Sequence, residues 1–367
     1  MRQPSSPKQD PQCYDRAAHD YDAVLVVSFG GPEGLDDVMP FLDNVLRGLS
    51  LPPPAVKGIA RRYEAFGGVS PINAHTRELI AAVEQDLAAH AINLPVYWGN
   101  RNWHPFLTDT IAEMREAGVK RAIAYVTSTF SSYSGCRRYR EDLHAATDGV
   151  EGAPRIDKLR YGYNHPGFIA AVADRVREAL EQTPSDRRAD VPLVFTAHSL
   201  PVAMAEHAPY QAQLMEAARL VTEAIGRDAF ELAYQSNNAS YGNAWLEPRI
   251  EDVIVDKARG GQSHVIVIPI GFVCDHMEVV LDLDVDAQKI AAEHGITMIR
   301  AGTVGSHPAF VAMIRELIEE RLRGTGERAA LGAYGPSHDI CPADCCLSGR
   351  PGNPKPSLCG ITPTAGA

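Results

Sequence analysis

"VPLVFTAHSLP", residues 191–201, is an apolar, β-branched run that breaks off at His198 and a proline-bounded turn. With no polar alternation it reads as a strand buried on both faces, the signature of a parallel sheet covered by helices. The same reading holds upstream for 21–29 (YDAVLVVSF), 94–99 (LPVYWG) and 121–128 (RAIAYVTS). It holds downstream for 230–236 (FELAYQS), 263–271 (SHVIVIPIG) and 296–302 (ITMIRAG). Between the strands, residues 77–90, 106–118, 166–180, 210–226 and 307–322 carry the helical period. This alternation predicts an α/β fold of two similar Rossmann-like halves, each a mainly parallel four-stranded sheet flanked by helices. The halves divide near residue 160, giving an N-terminal domain over 21–160 and a C-terminal domain over 161–325. Each opens on a buried strand ending in a polar turn, SFGGP at 28–32 and TAHSLP at 196–201.

Both ends of the chain differ from this body. Residues 1–20 are polar and proline-rich, without the apolar centre of a signal peptide, and read as a disordered leader. No apolar run is long enough to span a bilayer, so a cytoplasmic protein is expected. The formal charge of −11 argues against a nucleic-acid partner. Helical periodicity stops after Gly324, and the tail over 326–367 gathers four of the seven cysteines: Cys341, Cys345, Cys346 and Cys359. In a reducing compartment, clustered thiols point to a metal or cluster rather than to disulfides. The spacing fits neither ferredoxin pattern and no zinc ribbon or finger, so an iron–sulfur cluster, a zinc site and a disordered reduced tail all remain open.

In doubly wound sheets ligands bind at the carboxyl ends of strands. His198 stands at such an end. The segment 271–287, GFVCDHMEVVLDLDVDA, follows another strand and, if helical, spaces Glu278, Asp282 and Asp286 four residues apart. Each such step overshoots a full α-turn by about 40°, so the three carboxylates share one stripe. No Lys or Arg in the segment offsets them, and a row of hard oxygen donors near a histidine suits a divalent cation such as ferrous iron. A solvated acidic face is the plain alternative. Arg47, Arg61, Arg62, Ser70 and Tyr139 gather arginines and hydroxyls in the first half, where Arg would bind carboxylates bidentately. SFGGPEG lacks the G-x-G-x-x-G spacing, which excludes a dinucleotide fingerprint.

Taken together, VLVVSFGGPE, RRYEAFGGVSPI, VTSTFSSYSGCRRYRED, FTAHSLP and IPIGFVCDHMEVVLDLD resemble the ordered blocks of the ferrochelatase family over roughly residues 21–325. The resemblance implies a chelatase-type fold and a lyase inserting Fe²⁺ into a porphyrin. His198 and Glu278 then correspond to the catalytic and metal-site pair, and Asp282 and Asp286 continue the metal path. Arg47, Arg62, Ser70 and Tyr139 become contacts to the porphyrin propionates, and Phe29 stands where some relatives place a tyrosine. The pattern is most similar to the actinobacterial branch, which implies a monomeric enzyme acting on coproporphyrin III. That branch also implies a [2Fe-2S] cluster, with Cys136, Cys341, Cys346 and Cys359 as its expected ligands and Cys345 competing with Cys346. A cobalt chelatase of the same fold acting on another tetrapyrrole, or a haem- or cluster-binding sensor without turnover, are the alternatives.

Overall fold

Among the described residues, eight strands form two separate four-stranded sheets in which every pairing is parallel. The computed structural model describes residues 14–48, 51–237, 244–324, 327–352 and 354–358. The first sheet has the order β2-β1-β3-β4, from β1 (Ala23–Ser28), β2 (Val96–Asn100), β3 (Arg121–Val126) and β4 (Arg155–Lys158). The second has the order β6-β5-β7-β8, from β5 (Leu193–His198), β6 (Glu231–Gln235), β7 (His264–Ile268) and β8 (Thr297–Arg300). Each half therefore places its first strand second in the sheet and its third beside it, the same topology twice. All six residues of β1 are buried, as the continuous apolar run of a central parallel strand requires.

The strand absent from the sequence reading is β4. Its sequence, RIDK, has one apolar residue, and charge on an edge strand blunts its pairing with other chains while hiding it from a hydrophobicity argument.

One apolar core runs through both halves, from Val24 and Tyr125 under the first sheet to Phe195 and Ile268 under the second. The last long helix, Pro308–Arg323, packs against both Pro166–Gln182 and Ile72–Ala89, so it covers elements of the two halves at once. Arg160, 1% exposed, forks onto both oxygens of Glu320 in that helix at 2.7 Å. Removing one partner of such a buried pair leaves an uncompensated charge, at a cost of about 3–5 kcal/mol. Among the described residues, no helix is long and apolar enough to cross a membrane.

The leader expected over 1–20 is corrected at its end. Tyr14 donates to the Pro336 carbonyl at 2.9 Å, and Asp15 pairs with Arg321 at 2.9 Å. Arg321 is only 4% exposed, so the Asp15 carboxylate neutralises a nearly buried guanidinium, and this fixes the segment to the body.

Candidate active site

The carboxyl ends of both sheets open onto one cavity of about 280 Å³. Phe29 and Gly30 reach it after β1, Thr127 and Ser128 after β3, His198 ends β5, and the loop after β7 closes the far wall. Two glycines in SFGGP are required by close approach. Gly30 has φ +78°, and a Cβ at Gly31 would fall 2.7 Å from Cβ of Ser70, which lines the cavity. Phe41, Tyr63, Phe130, Tyr210 and Phe272 give the cleft an aromatic lining. Such a surface suits a flat conjugated ligand.

His198 and Glu278 meet at this wall, with Nε2 3.5 Å from Oε2. His198 Nδ1 lies 2.5 Å from the Ser199 carbonyl. A carbonyl can only accept, so Nδ1 is the donor there and Nε2 is the nitrogen turned toward Glu278. Glu278 enters the site from the short turn Met277–Val279, which His276 caps by accepting the Glu278 N–H at Nδ1. His276 packs edge-on against Phe272, and burial holds its pKa below the ordinary value. It lines the cavity as a neutral imidazole whose other nitrogen bears the proton. His276 has no role in the sequence analysis, because histidine is not among the usual N-cap residues and its capping of Glu278 is visible only in the fold.

From Glu278 the carboxylates run outward along a π-helix, Val280–Ala287, in which the Gln288 N–H reaches back five residues to the Leu283 carbonyl. A π-turn holds more residues than an α-turn, so four-residue steps fall closer to a whole turn and the stripe is straighter than an α-helix gives. The side chains of Glu278, Asp282 and Asp286 are 48%, 13% and 48% exposed. Asp282 is the buried middle of the row. Burial chiefly, with the nearby Glu278 charge, raises its pKa to about 6, against the opposing pull of the Ser236 hydroxyl and Arg62. The charges missing from the segment come from elsewhere. Arg62 Nη2 sits 3.2 Å from Asp282 and 2.7 Å from Asp286, and Arg300 holds Asp284 at 2.5 Å.

A histidine at a strand end, a glutamate beyond the loop that follows β7, an aromatic cleft and a carboxylate row form one continuous arrangement. The ferrochelatase family matches residues 21–322. A ferrochelatase of Rhodopirellula baltica is 51% identical over 330 residues, covering 89% of this chain and 93% of that one. The chain belongs to the ferrochelatase family. Coproporphyrin III ferrochelatases of Streptomyces griseus and Frankia alni are 45% and 47% identical, over 93% and 90% of this chain and 96% and 87% of theirs. The Bacillus subtilis SirB structure with Fe³⁺ shares the fold, with a TM-score of 0.51 at 12% identity over 82% of this chain and 97% of that one.

The remaining residues expected of a ferrochelatase are placed as follows. Ser70 and Tyr139 are buried in the cavity wall, and the Arg101 guanidinium lies 4.5 Å over the Tyr139 ring. Arg47 is exposed beyond the cavity, bonded to Asn44, while Arg62 is engaged with the carboxylate row. Arg101, unnoticed in the sequence, also faces the Phe29 ring at 5.7 Å and pairs with Asp142 at 2.5 Å.

The tail folds onto the first half. Arg137, 2% exposed, donates to the carbonyls of Ala343, Cys345 and Lys355, and Arg140 donates to that of Leu358 at 2.8 Å. These bonds bring Cys341, Cys345 and Cys346 to Cys136, whose thiol interacts with those of Cys341 and Cys346. Cys345 and Cys346 have their sulfurs 3.4 Å apart. Cys359 lies outside the described residues.

Proposed function

We propose that this protein inserts Fe²⁺ into coproporphyrin III, with the ring held in the aromatic cleft and its pyrrole nitrogens facing His198 and Glu278. The observation that carries this reading is the pair itself: an imidazole nitrogen and a carboxylate oxygen, 3.5 Å apart, at the wall of an apolar cleft. A carboxylate row then leads from it toward solvent. Metal insertion exchanges two pyrrole N–H protons for one divalent ion. His198 Nε2 can take a proton, and Glu278 can take the second or meet the incoming iron. Asp282, with its pKa near 6, exchanges protons readily at neutral pH, so it suits a relay between Glu278 and Asp286. A planar ring hides its nitrogen lone pairs, so binding energy from the rest of the molecule must distort it before metal enters. Ser70 and Tyr139 at the wall, with Arg47 and Arg62 on the outside, would hold the propionates and so fix the ring against the pair.

Coproporphyrin, with four carboxylates, is favoured because relatives nearly as long as this chain are coproporphyrin III ferrochelatases. The reading takes the enzyme as a cytoplasmic monomer. It also gives the tail a [2Fe-2S] cluster. The donor chemistry fits: buried Cys136, Cys341 and Cys346 gather with Cys345, the four thiols that such a cluster takes. When bound, the cluster would supply one-electron redox chemistry and a cross-link between the tail and the Cys136 segment. The test is kcat/KM for purified enzyme with Fe²⁺ under anaerobic conditions, using coproporphyrin III and protoporphyrin IX in parallel. The reading expects the tetracarboxylate ring to be favoured at least about tenfold, the effect of a single lost anchoring interaction. Equal or reversed preference overturns it.

A further inference from the structure

The tail carries a ligand-type side chain that the cysteine count overlooks. His338 stands three residues before Cys341. Its Nε2 is 3.8 Å from Cys345 Sγ, and one donor atom from each of His338, Cys341 and Cys345 lies within 4.8 Å of the others. Cys345 Sγ is in turn 3.4 Å from Cys346 Sγ, and Cys346 adjoins Cys136. In a tetrahedral set with metal–sulfur bonds of about 2.3 Å and metal–nitrogen bonds of about 2.0–2.1 Å, neighbouring donors stand roughly 3.5–3.8 Å apart. The imidazole edge here already has that length. Asp339, beside His338, is bonded to Arg328 at 2.6 Å, which anchors the loop on that side. Arg137 pins the backbone on the other side of Cys341 through the Ala343 and Cys345 carbonyls. The ring therefore meets the thiols in a loop fixed on both sides.

We propose that His338 Nε2 is a direct ligand of the tail's metal centre, completing a set of three thiolates and one imidazole drawn from Cys136, Cys341 and one of the adjacent pair. Cys359 is then not a ligand. The inference rests on the reading that the tail holds a metal centre, and is independent of iron insertion. A neutral imidazole in place of a thiolate makes the centre less negative, and histidine ligation raises the potential of a [2Fe-2S] cluster.

The test uses full-length protein reconstituted anaerobically with iron and sulfide, unlabelled or carrying ¹⁵N-histidine, then reduced and examined by pulsed electron paramagnetic resonance. The expected result is one strongly coupled nitrogen that changes with the label. His338→Cys should retain the cluster, lose that coupling and lower the reduction potential, and Cys359→Ser should keep full metal content. If the purified centre is zinc instead, absorption-edge scattering should count one nitrogen and three sulfurs. Four sulfurs around either metal, absence of the coupling, loss of metal in Cys359→Ser, or a wild-type tail that binds no metal would each overturn the proposal. None of these readouts measures porphyrin metallation, so a four-sulfur centre in an active enzyme refutes the ligand and leaves the catalytic reading standing.

Discussion

Asp282→Asn should make the protein more stable at neutral pH while impairing iron uptake. The wild-type carboxyl has its pKa raised to about 6, from 3.8 in the unfolded chain, because it is buried beside another carboxylate. A gap of about two units corresponds to roughly 3 kcal/mol at pH values above both. The sign follows from proton affinity. The folded state holds this proton more tightly than the unfolded state, so ionisation costs stability. That cost is absent below about pH 4, grows between about pH 4 and 6, and is complete above. Asparagine never ionises, yet its amide oxygen still accepts from Ser236. The favourable pairing with half-exposed Arg62 is already contained in that gap, since Arg62 is one of the groups that oppose the shift. The net expectation is about 3 kcal/mol of added stability at pH 7.5, shrinking to about zero near pH 4. Urea denaturation of metal-free protein at several pH values reads this directly. A variant less stable than wild type at pH 7.5, or one with the same offset at pH 4.5, would refute the assignment of a buried, strained carboxyl. Insertion at limiting Fe²⁺ should fall in the same variant. A residue that costs stability is retained for what it does, as active-site carboxylates often are.

His198→Ala should lower insertion by at least about 10²-fold while porphyrin still binds, as followed by absorbance and by quenching of protein fluorescence. Retention of near-normal turnover would remove His198 from the mechanism. Arg62→Gln removes the cation that bridges Asp282 and Asp286, so divalent-metal affinity in the absence of porphyrin should rise several-fold by calorimetry. Unchanged affinity would mean that the row is not a metal path. Arg137→Ala leaves the carbonyls of Ala343, Cys345 and Lys355 without their donor, so limited proteolysis should cut the tail beyond residue 327 sooner than in wild type. A cleavage pattern identical to wild type would show that other contacts hold the tail.

Legibility in the sequence followed the range of the interactions. Long apolar runs such as those of β1 and β5 were readable because burial on both faces leaves no polar alternation. The edge strand β4 was not, since its pairing depends on β3 rather than on its own side chains. The stripe of Glu278, Asp282 and Asp286 followed from spacing alone, but the π-helical turn beneath it did not, because that depends on backbone bonding. The row's counter-charge was invisible for a different reason: Arg62 lies 220 residues from Asp282 in sequence, and only the fold joins them. In the tail, counting thiols identified a metal-type region. It passed over His338, whose relevance is a matter of distance to Cys345 rather than of composition.

The central claim is that the porphyrin lies in the cleft between the strand ends, with its metal facing His198 and Glu278. Crystals grown anaerobically with coproporphyrin III and Fe²⁺ test it through an anomalous difference map at the iron edge. The account predicts the ring against Phe29, Tyr63 and Phe272, with the iron peak on the His198–Glu278 side and any further peak along Asp282 and Asp286. A ring bound elsewhere, or iron at its centre with His198 and Glu278 both remote, would contradict it.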